Sequence, residues 1–497
     1  EGLAVSYLML SLWVFVVVAV RTRGFTPGGG TWLPVVSAGS FGSACDFPQS
    51  VEICGEKYVV WRDDDEFRVL ADACPHRLAP LSQGRVVDGS VECPYHGMQF
   101  DGGGAVAKIP QAKRCDFKAK ALKTQRTGDL VWAFFQDVGE SLDTEPKDLY
   151  PWLLEEEEEE SSKAASKKAS SKEASKSYYA RELPYSFDML VENFMDPAHI
   201  PFAHHSLQGV RSDGCEIPMS VLANNSTHVE VSFQDVVRGS PRSGVVSFQR
   251  PSRYHFRTTT DGGASYRTNL EIFCVPVREG RCRVFFKSPK LPKFVPTWLV
   301  HAGSNRFLNT DIWLHDAEVD LRTTPLRSGG GGGADPAAVN HDPSTRKDQD
   351  LHKYKVASTA DLGPTAFRKW WRSSGMADSP PHTFGPARNP LRRIANRRDL
   401  VDSWEYHSKQ CATCRAALAK AKLARSLGLS LAASAASLIT ALLPRVAGVV
   451  AGLATAFLAD RVVKIIRGTS DPTDIAPRSV AATAPDAKLD VRRSSVD

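Results

Sequence analysis

The sequence predicts an α+β protein in three parts: an N-terminal all-β domain, a larger α+β domain and a C-terminal α-helical membrane hairpin. Three observations carry this. Residues 32–143 set short β-branched and aromatic runs between turn residues, as in Lys57-Tyr58-Val59-Val60-Trp61 and Asp129-Leu130-Val131-Trp132-Ala133-Phe134, the pattern of a compact β domain. Residues 178–406 mix a helical motif at 190–206 with strand-like runs at 228–233 and 270–277. Near the C-terminus, Ser426 to Leu443 and Val446 to Ala459 are two uncharged stretches parted by Pro444-Arg445. The second is short for a span, so the pair predicts a hairpin embedded in or across a membrane over 426–467, with an Ala-rich soluble hairpin as the alternative. Gly448 and Gly452 have the small-xxx-small spacing that lets helices approach closely.

The remaining segments follow in order. Leu3 to Val20 are uncharged and precede Arg21 and Arg23, so 1–31 reads as a targeting or anchor segment. The sequence opens at Glu1 without a methionine, the mark of a fragment or a processed form. Residues 144–177 hold a glutamate run followed by a Ser/Ala/Lys tract and have almost nothing to bury, which makes them a solvated linker. Gly329 to Gly333 and the polar residues to Asp350 look like a long insertion within the second domain. Residues 468–497 read as a disordered tail.

At 497 residues the chain has room for about three structural units. Its 42% hydrophobic and 24% charged residues are ordinary for a globular protein, which excludes wholesale disorder and a polytopic transporter. The net charge of +6 is spread without a basic stripe, so nucleic acid is not the expected partner. Ten cysteines are too sparse for a disulfide scaffold and imply a compartment that keeps thiols reduced.

The strongest chemical signal is Cys74-Pro75-His76 followed, after 16 residues, by Cys93-Pro94-Tyr95-His96. Mirrored pairs that mix cysteine with histidine suit a [2Fe–2S] cluster whose thiolates hold one iron and whose imidazoles hold the other. A structural zinc site would more usually place cysteines together and histidines together. Neutral imidazoles reduce the negative charge and raise the potential, so such a cluster accepts electrons from a ferredoxin-type donor.

A second constellation lies in Glu192-Asn193-Phe-Met-Asp196-Pro-Ala-His199-Ile-Pro-Phe-Ala-His204-His205. His199 and His204, with a distant carboxylate, suit the facial triad of a non-haem Fe(II) oxygenase, which leaves positions open for dioxygen. His205 is a spare histidine. The helix-capping reading of Asp196, before Pro197, stands beside any functional one. A third signal is Cys411-Ala-Thr-Cys414 preceded by His407, in the segment 407–425. It is a redox dithiol, half of a zinc site that needs a distant ligand, or two unpaired thiols in a helix.

These motifs resemble the Rieske non-haem iron oxygenases. Within them, the chain is similar to the plant and algal group that contains pheophorbide a oxygenase, protochlorophyllide-dependent translocon component and TIC 55. The phrases Cys93-Pro-Tyr-His-Gly-Met-Gln-Phe100, Arg77-Leu-Ala-Pro-Leu-Ser82, Ile109-Pro-Gln-Ala112, Asn309-Thr-Asp-Ile-Trp-Leu-His-Asp-Ala-Glu318 and Phe367-Arg-Lys-Trp-Trp371 carry the resemblance over most of residues 32–415. Met98 stands where many relatives have tryptophan.

The resemblance implies a Rieske domain at 32–143, with a [2Fe–2S] cluster on Cys74, His76, Cys93 and His96. It also implies a helix-grip catalytic domain at 178–406, with iron on His199 and His204 and dioxygen as co-substrate. Asp311 takes the best position for the third ligand, with Asp316 and Glu318 as nearby alternatives. Asp196, with Asn193 beside the iron, would link a cluster histidine of one subunit to a catalytic histidine of the next, which implies a homotrimer. The C-x-x-C pair before terminal helices is similar to the pheophorbide a oxygenase branch and unlike chlorophyllide a oxygenase, and as a dithiol it would meet thioredoxin. The expected activity is ferredoxin-dependent monooxygenation of a chlorophyll-derived tetrapyrrole, first pheophorbide a, with protochlorophyllide, chlorophyllide or a phyllobilin as the alternative substrate, at a plastid envelope or thylakoid membrane. The competing expectation is a redox-sensing or translocon-associated membrane protein that uses its cluster only for electron transfer.

Overall fold

The computed structural model describes residues 31–135 except 42–47 and 114, parts of 145–150, residues 178–323 except 260–265, 288–291 and 293, then 355–374, 391–437 except 392, and 442–468. The expectations for residues 3–20, the acidic linker, the 325–350 insertion and the tail after 468 fall outside the described residues.

The first domain is all-β, as expected. Its strands are β1 (Thr31–Ser37), β2 (Gln49–Ile53), β3 (Glu56–Asp63), β4 (Glu66–Ala71), β5 (Arg85–Val87), β6 (Ser90–Glu92), β7 (Gln99–Phe100), β8 (Val106–Lys108), β9 (Thr124–Thr127) and β10 (Leu130–Phe135). They pair in three small antiparallel sheets: β1-β10-β9, β2-β3-β4 and β5-β6-β7-β8. The β5–β8 sheet and its loops close over a separate small core of Trp61, Leu81, Met98 and Phe100 that includes both Cys74 and Cys93. Met98 is buried there, filling the core with a flexible apolar side chain.

The second domain is built on one seven-stranded antiparallel sheet in the order β11-β17-β16-β15-β14-β13-β12. Its strands are β11 (Tyr178–Leu183), β12 (Met219–Asn224), β13 (His228–Val237), β14 (Ser240–Gln249), β15 (Arg253–Thr259), β16 (Tyr266–Arg278) and β17 (Arg281–Lys287). β11 and β12 form the two edges, so the residues between them, which carry His199 and His204, cross the whole sheet. Period-2 burial along β13 and β15 puts Val229, Val231, Phe233, Tyr254 and Phe256 inward. Phe273, Val275 and Phe285 face the other way and share a core with Trp32, Val131 and Trp132 of the first domain. The two domains therefore join through apolar packing, reinforced by Cys54 and Gly55 N–H bonds to the carbonyls of Pro276 and Val277.

Helices cover the inner face of the sheet: α1 (Phe187–Phe194), α2 (Ile200–Ala203), α3 (Thr297–Leu308), α4 (Trp313–Thr323), α5 (Leu362–Ser373) and α6 (Arg397–Leu400). The expected helical motif at 190–206 is not one helix. Pro197 and Pro201 cannot donate to preceding carbonyls, so α1 stops, a 3₁₀ turn at Pro197–His199 follows, and α2 is a single turn that His204 terminates.

The C-terminal hairpin exists, as α7 (Ala412–Ser437) against α8 (Leu442–Arg467). Its expected membrane-spanning character is corrected: among the described residues, no helix is long and apolar enough to cross a membrane. Lys420, Lys422 and Arg425 interrupt α7, and Asp460, Arg461 and Lys464 interrupt α8. Arg425 and Lys464 both pair with Asp460. The helices touch most closely at Gly428, where a Cβ would lie 2.9 Å from the Gly452 carbonyl oxygen. That explains the glycine at 428 without a bilayer.

Candidate active site

Two loops present the first His/Cys set. After β4 the chain turns through Cys74-Pro-His76, and after β6 through Cys93-Pro-Tyr-His96. Cys74 and Cys93 are buried in the small core, whereas His76 is exposed and His96 half-exposed. The two imidazole rings lie 4.8 Å apart. Backbone bonds hold the loops: Leu78 N–H to the Cys74 carbonyl, Cys74 N–H to the Ala79 carbonyl, and Gly97 N–H to the Cys93 carbonyl. Gly97 has φ +70 and Pro110 packed against it, so a side chain there would be strained and crowded.

The motif phrases have physical roles around these loops. Ser82 donates its N–H and its hydroxyl to the Asp72 carboxylate, at 2.8 and 2.6 Å, bracing the first loop. Gln111 Nε2 donates to the His96 carbonyl at 2.9 Å, bracing the second. Buried thiols beside outward imidazoles fit a cluster with one inner and one outer iron, the outer one meeting electron partners.

The second set gathers on the inner face of the seven-stranded sheet. His199, His204 and Asp311 each bring one ligand atom within 4.8 Å of the others. His199 Nε2 lies 3.3 Å from His204 Nε2, which lies 3.4 Å from Asp311 Oδ2. These are slightly longer than the ~3 Å edges of an octahedral face around a first-row metal.

The far nitrogens define the tautomers. His199 Nδ1–H donates to the Asp196 carbonyl. Thr310 gives its hydroxyl proton to the Phe307 carbonyl at 2.6 Å, so its oxygen accepts from His204 Nδ1–H at 2.7 Å. Both Nε2 lone pairs therefore point at Asp311. Burial, then the neighbouring His199, lowers the His204 pKa to about 3, so the imidazole is neutral and its contact with Asp311 is not an ion pair. Burial raises the Asp311 pKa to about 6, and Asp311 Oδ1 is buried with no hydrogen-bond partner. A buried carboxylate with one oxygen orphaned and the other against an imidazole lone pair is the chemistry of a cation site, and the three residues fit a non-haem iron.

The neighbouring candidates go elsewhere. His205 Nδ1 accepts the Arg211 N–H at 3.2 Å. Asp316 pairs with Arg393, and Glu318 accepts from the Ser186 N–H and Arg322. Asn193 Nδ2 approaches Asp311 Oδ2 at 3.5 Å, a long contact. Asp196 Oδ1 caps the 3₁₀ turn by accepting the Ala198 N–H at 2.8 Å, and burial raises its pKa to about 6. Cys411 and Cys414 are distant in the fold from this triad, buried against His301 and His407.

Two residues escaped the sequence reading. Thr310, which orients His204, sits beside Asp311 and was findable as the hydroxyl next to a candidate ligand. Phe307, whose ring stacks on His204 with centroids 3.9 Å apart, follows only from the fold.

Other polar residues hold the scaffold. Arg181 donates to the Asn305 carbonyl at 2.7 Å and to Asn309 Oδ1, tying β11 to the end of α3. Arg368 of α5 and Arg322 of α4 clasp Asp188 on α1, and Arg368 also meets Glu192. Burial opposes ionisation of Asp188, but the two guanidiniums outweigh it and hold the pKa at about 2. A cleft of about 530 Å³ opens on His199 and His204, walled by Phe194, Tyr254, Phe256, Ile272, Phe286 and Phe307. That volume is within the ~300–1,000 Å³ usual for small-molecule sites.

The chain is similar to known proteins over parts of both domains. The family model for the Rieske [2Fe-2S] domain matches residues 31–126, and that for pheophorbide a oxygenase matches residues 248–323. Flavonoid 8-hydroxylase 2 of Ocimum basilicum is 27% identical, over 78% of this chain and 73% of its own length. Pheophorbide a oxygenase of Arabidopsis thaliana is 28% identical, over 74% and 69% respectively. TIC 55 of Pisum sativum is 36% identical over 54% of this chain and 48% of its own. The chain therefore carries a Rieske [2Fe-2S] domain and, within its second domain, a region similar to pheophorbide a oxygenase.

Proposed function

We propose that the protein is a ferredoxin-fed Rieske monooxygenase whose substrate is a chlorophyll-derived tetrapyrrole, pheophorbide a in the first place. Cys74, His76, Cys93 and His96 would hold the [2Fe–2S] cluster, and His199, His204 and Asp311 the mononuclear iron. When bound, the two centres supply stored electrons and the activation of dioxygen. Two electrons and two protons balance the reaction, with one oxygen atom entering the product and the other leaving as water.

The observation that carries the reading is the apolar cleft on the iron triad. Its aromatic walls suit a flat hydrophobic ring, which they orient and shield from water. Tyr254 donates its hydroxyl to the Phe194 carbonyl at 2.7 Å and so turns its ring face, not its polar end, to the cleft. The two histidines are oriented as ligands by their backbone and Thr310 partners. Asp196 is partly exposed and uses one oxygen as a cap. That leaves it suited to accept an imidazole N–H from a neighbouring subunit, within a homotrimer.

The flavonoid 8-hydroxylase relative favours a second reading, hydroxylation of a phenolic ring in the same cleft. Location in a chloroplast is inferred from relatives described as chloroplastic.

The test is turnover by iron-loaded protein with ferredoxin, a reductase and labelled dioxygen, using pheophorbide, chlorophyllide, protochlorophyllide, a phyllobilin and a flavonoid. One labelled oxygen in a tetrapyrrole product supports the first reading. Product from the flavonoid alone replaces it with the second.

A further inference from the structure

A second group of metal-type side chains lies outside the iron site, where the α+β domain meets the helical hairpin. His301 comes from α3, His407 from the π-helical turn Trp404–Ser408, and Cys411 and Cys414 from the start of α7. All four are buried, and one ligand atom from each lies within 4.8 Å of the rest. His301 Nδ1 is 3.5 Å from the Cys411 sulfur, 3.5 Å from the Cys414 sulfur and 3.2 Å from His407 Nε2. His407 Nε2 is 3.4 Å from the Cys414 sulfur. A tetrahedral zinc ion with Zn–S of about 2.3 Å and Zn–N of about 2.05 Å has S–N edges of about 3.6 Å and N–N edges of about 3.3 Å. The side chains already stand at those separations.

The surroundings direct the ligand atoms inward. His407 Nδ1–H donates to the Ala180 carbonyl on β11 at 2.7 Å, which leaves the Nε2 lone pair facing the cluster. The His301 ring packs edge-on against Tyr179. Its Nε2 is buried with no hydrogen-bond partner, so its only polar engagement is through Nδ1, into the cluster.

We infer that His301, His407, Cys411 and Cys414 form a closed, four-ligand structural zinc site. Two thiolates and two imidazoles in tetrahedral array suit zinc among the biological cations. With all four positions taken by protein there is no place for a substrate, so the site holds structure. It clamps α3, β11 through Ala180, and the base of the hairpin. The main competing use of the C-x-x-C pair, dithiol exchange, requires a sulfur that a partner can reach, whereas Cys411 is 8% and Cys414 2% exposed. This inference stands independently of the substrate proposed above.

The test uses the full chain produced in zinc-supplied medium. Metal analysis is expected to find zinc in parity with the chain besides the iron. Replacing that zinc with Co²⁺ should give the visible bands and thiolate charge transfer of tetrahedral cobalt. Cys414→Ser and His301→Ala should each lose the zinc and these bands while keeping the Rieske paramagnetic signal. Should those variants fail to fold, the cobalt spectrum of the unaltered chain decides. An iron-loaded chain without zinc overturns the site, as does an octahedral cobalt spectrum or full zinc in Cys414→Ser.

Discussion

Two groups of two cysteines and two histidines lie in separate parts of this molecule, and they are built in opposite ways. In the first domain each loop brings its own Cys–His pair, the thiols face inward and the imidazoles reach the surface. At the hairpin junction all four side chains are buried, and they arrive from three elements spread over more than a hundred residues. The first arrangement exposes one side to partners. The second has no open side, so what it contributes is attachment. Burial of functional groups extends through the second domain, where Asp311, His204 and Asp188 also lie out of solvent.

The largest expected effect sharpens this contrast from the iron triad. His204→Ala removes a proposed iron ligand and should lower oxygenation by at least ~10³-fold, about 4 kcal/mol in barrier. The Rieske paramagnetic signal should survive, because the two His/Cys loops do not depend on the triad. Turnover close to that of the unaltered enzyme would discard the triad.

Arg368→Met comes next and tests what burial means in the α+β domain. It deprives Asp188 of one of its two guanidiniums and should cost about 3 kcal/mol in denaturant unfolding. The folded-state pKa of about 2 lies below the ordinary ~3.9. The contribution is therefore complete above that ordinary value and lost as pH falls toward 2. The variant's acid transition should move to higher pH, and an unmoved transition would mean that Arg322 suffices.

His301→Ala should lower the thermal midpoint by an amount on the order of 5–10 °C without changing the Rieske signal. An unchanged midpoint would erase the distinction between attaching and exposing sites. The smallest effect is expected from Thr310→Val, which removes the acceptor of His204 Nδ1–H. Iron affinity should fall by about 10–100-fold, measured by chelator competition, with protein stability little altered.

What the sequence revealed depended on how local each signal was. Cys74–His76 and Cys93–His96 are visible because each pair lies within one turn of chain. His199 and His204 are visible for the same reason, though the helix expected to carry them is broken by Pro197 and Pro201. The carboxylate is a different matter: Asp311, Asp316 and Glu318 are indistinguishable by spacing, and only the positions of Arg393, Ser186 and Arg322 separate them. His301 gives no sign in its helix, since its partners lie 106 residues or more along the chain. The hairpin misled in another way. Apolar runs rich in alanine and glycine serve close helix packing as well as they serve lipid, and at Gly428 it is packing that needs the glycine.

Helix α3 begins near His301 and leads, past Phe307, to Thr310 and Asp311. At 1.5 Å per residue, about 15 Å separates the two ends. One end is held at the hairpin and the other at the triad, so α3 behaves as a beam fixed at both supports. A bulky molecule wedged against Phe307 would load the whole beam, and the strain would be felt at the far support, beside the hairpin. Loosening that support should show up as leakage, with oxygen consumed and peroxide released in place of product.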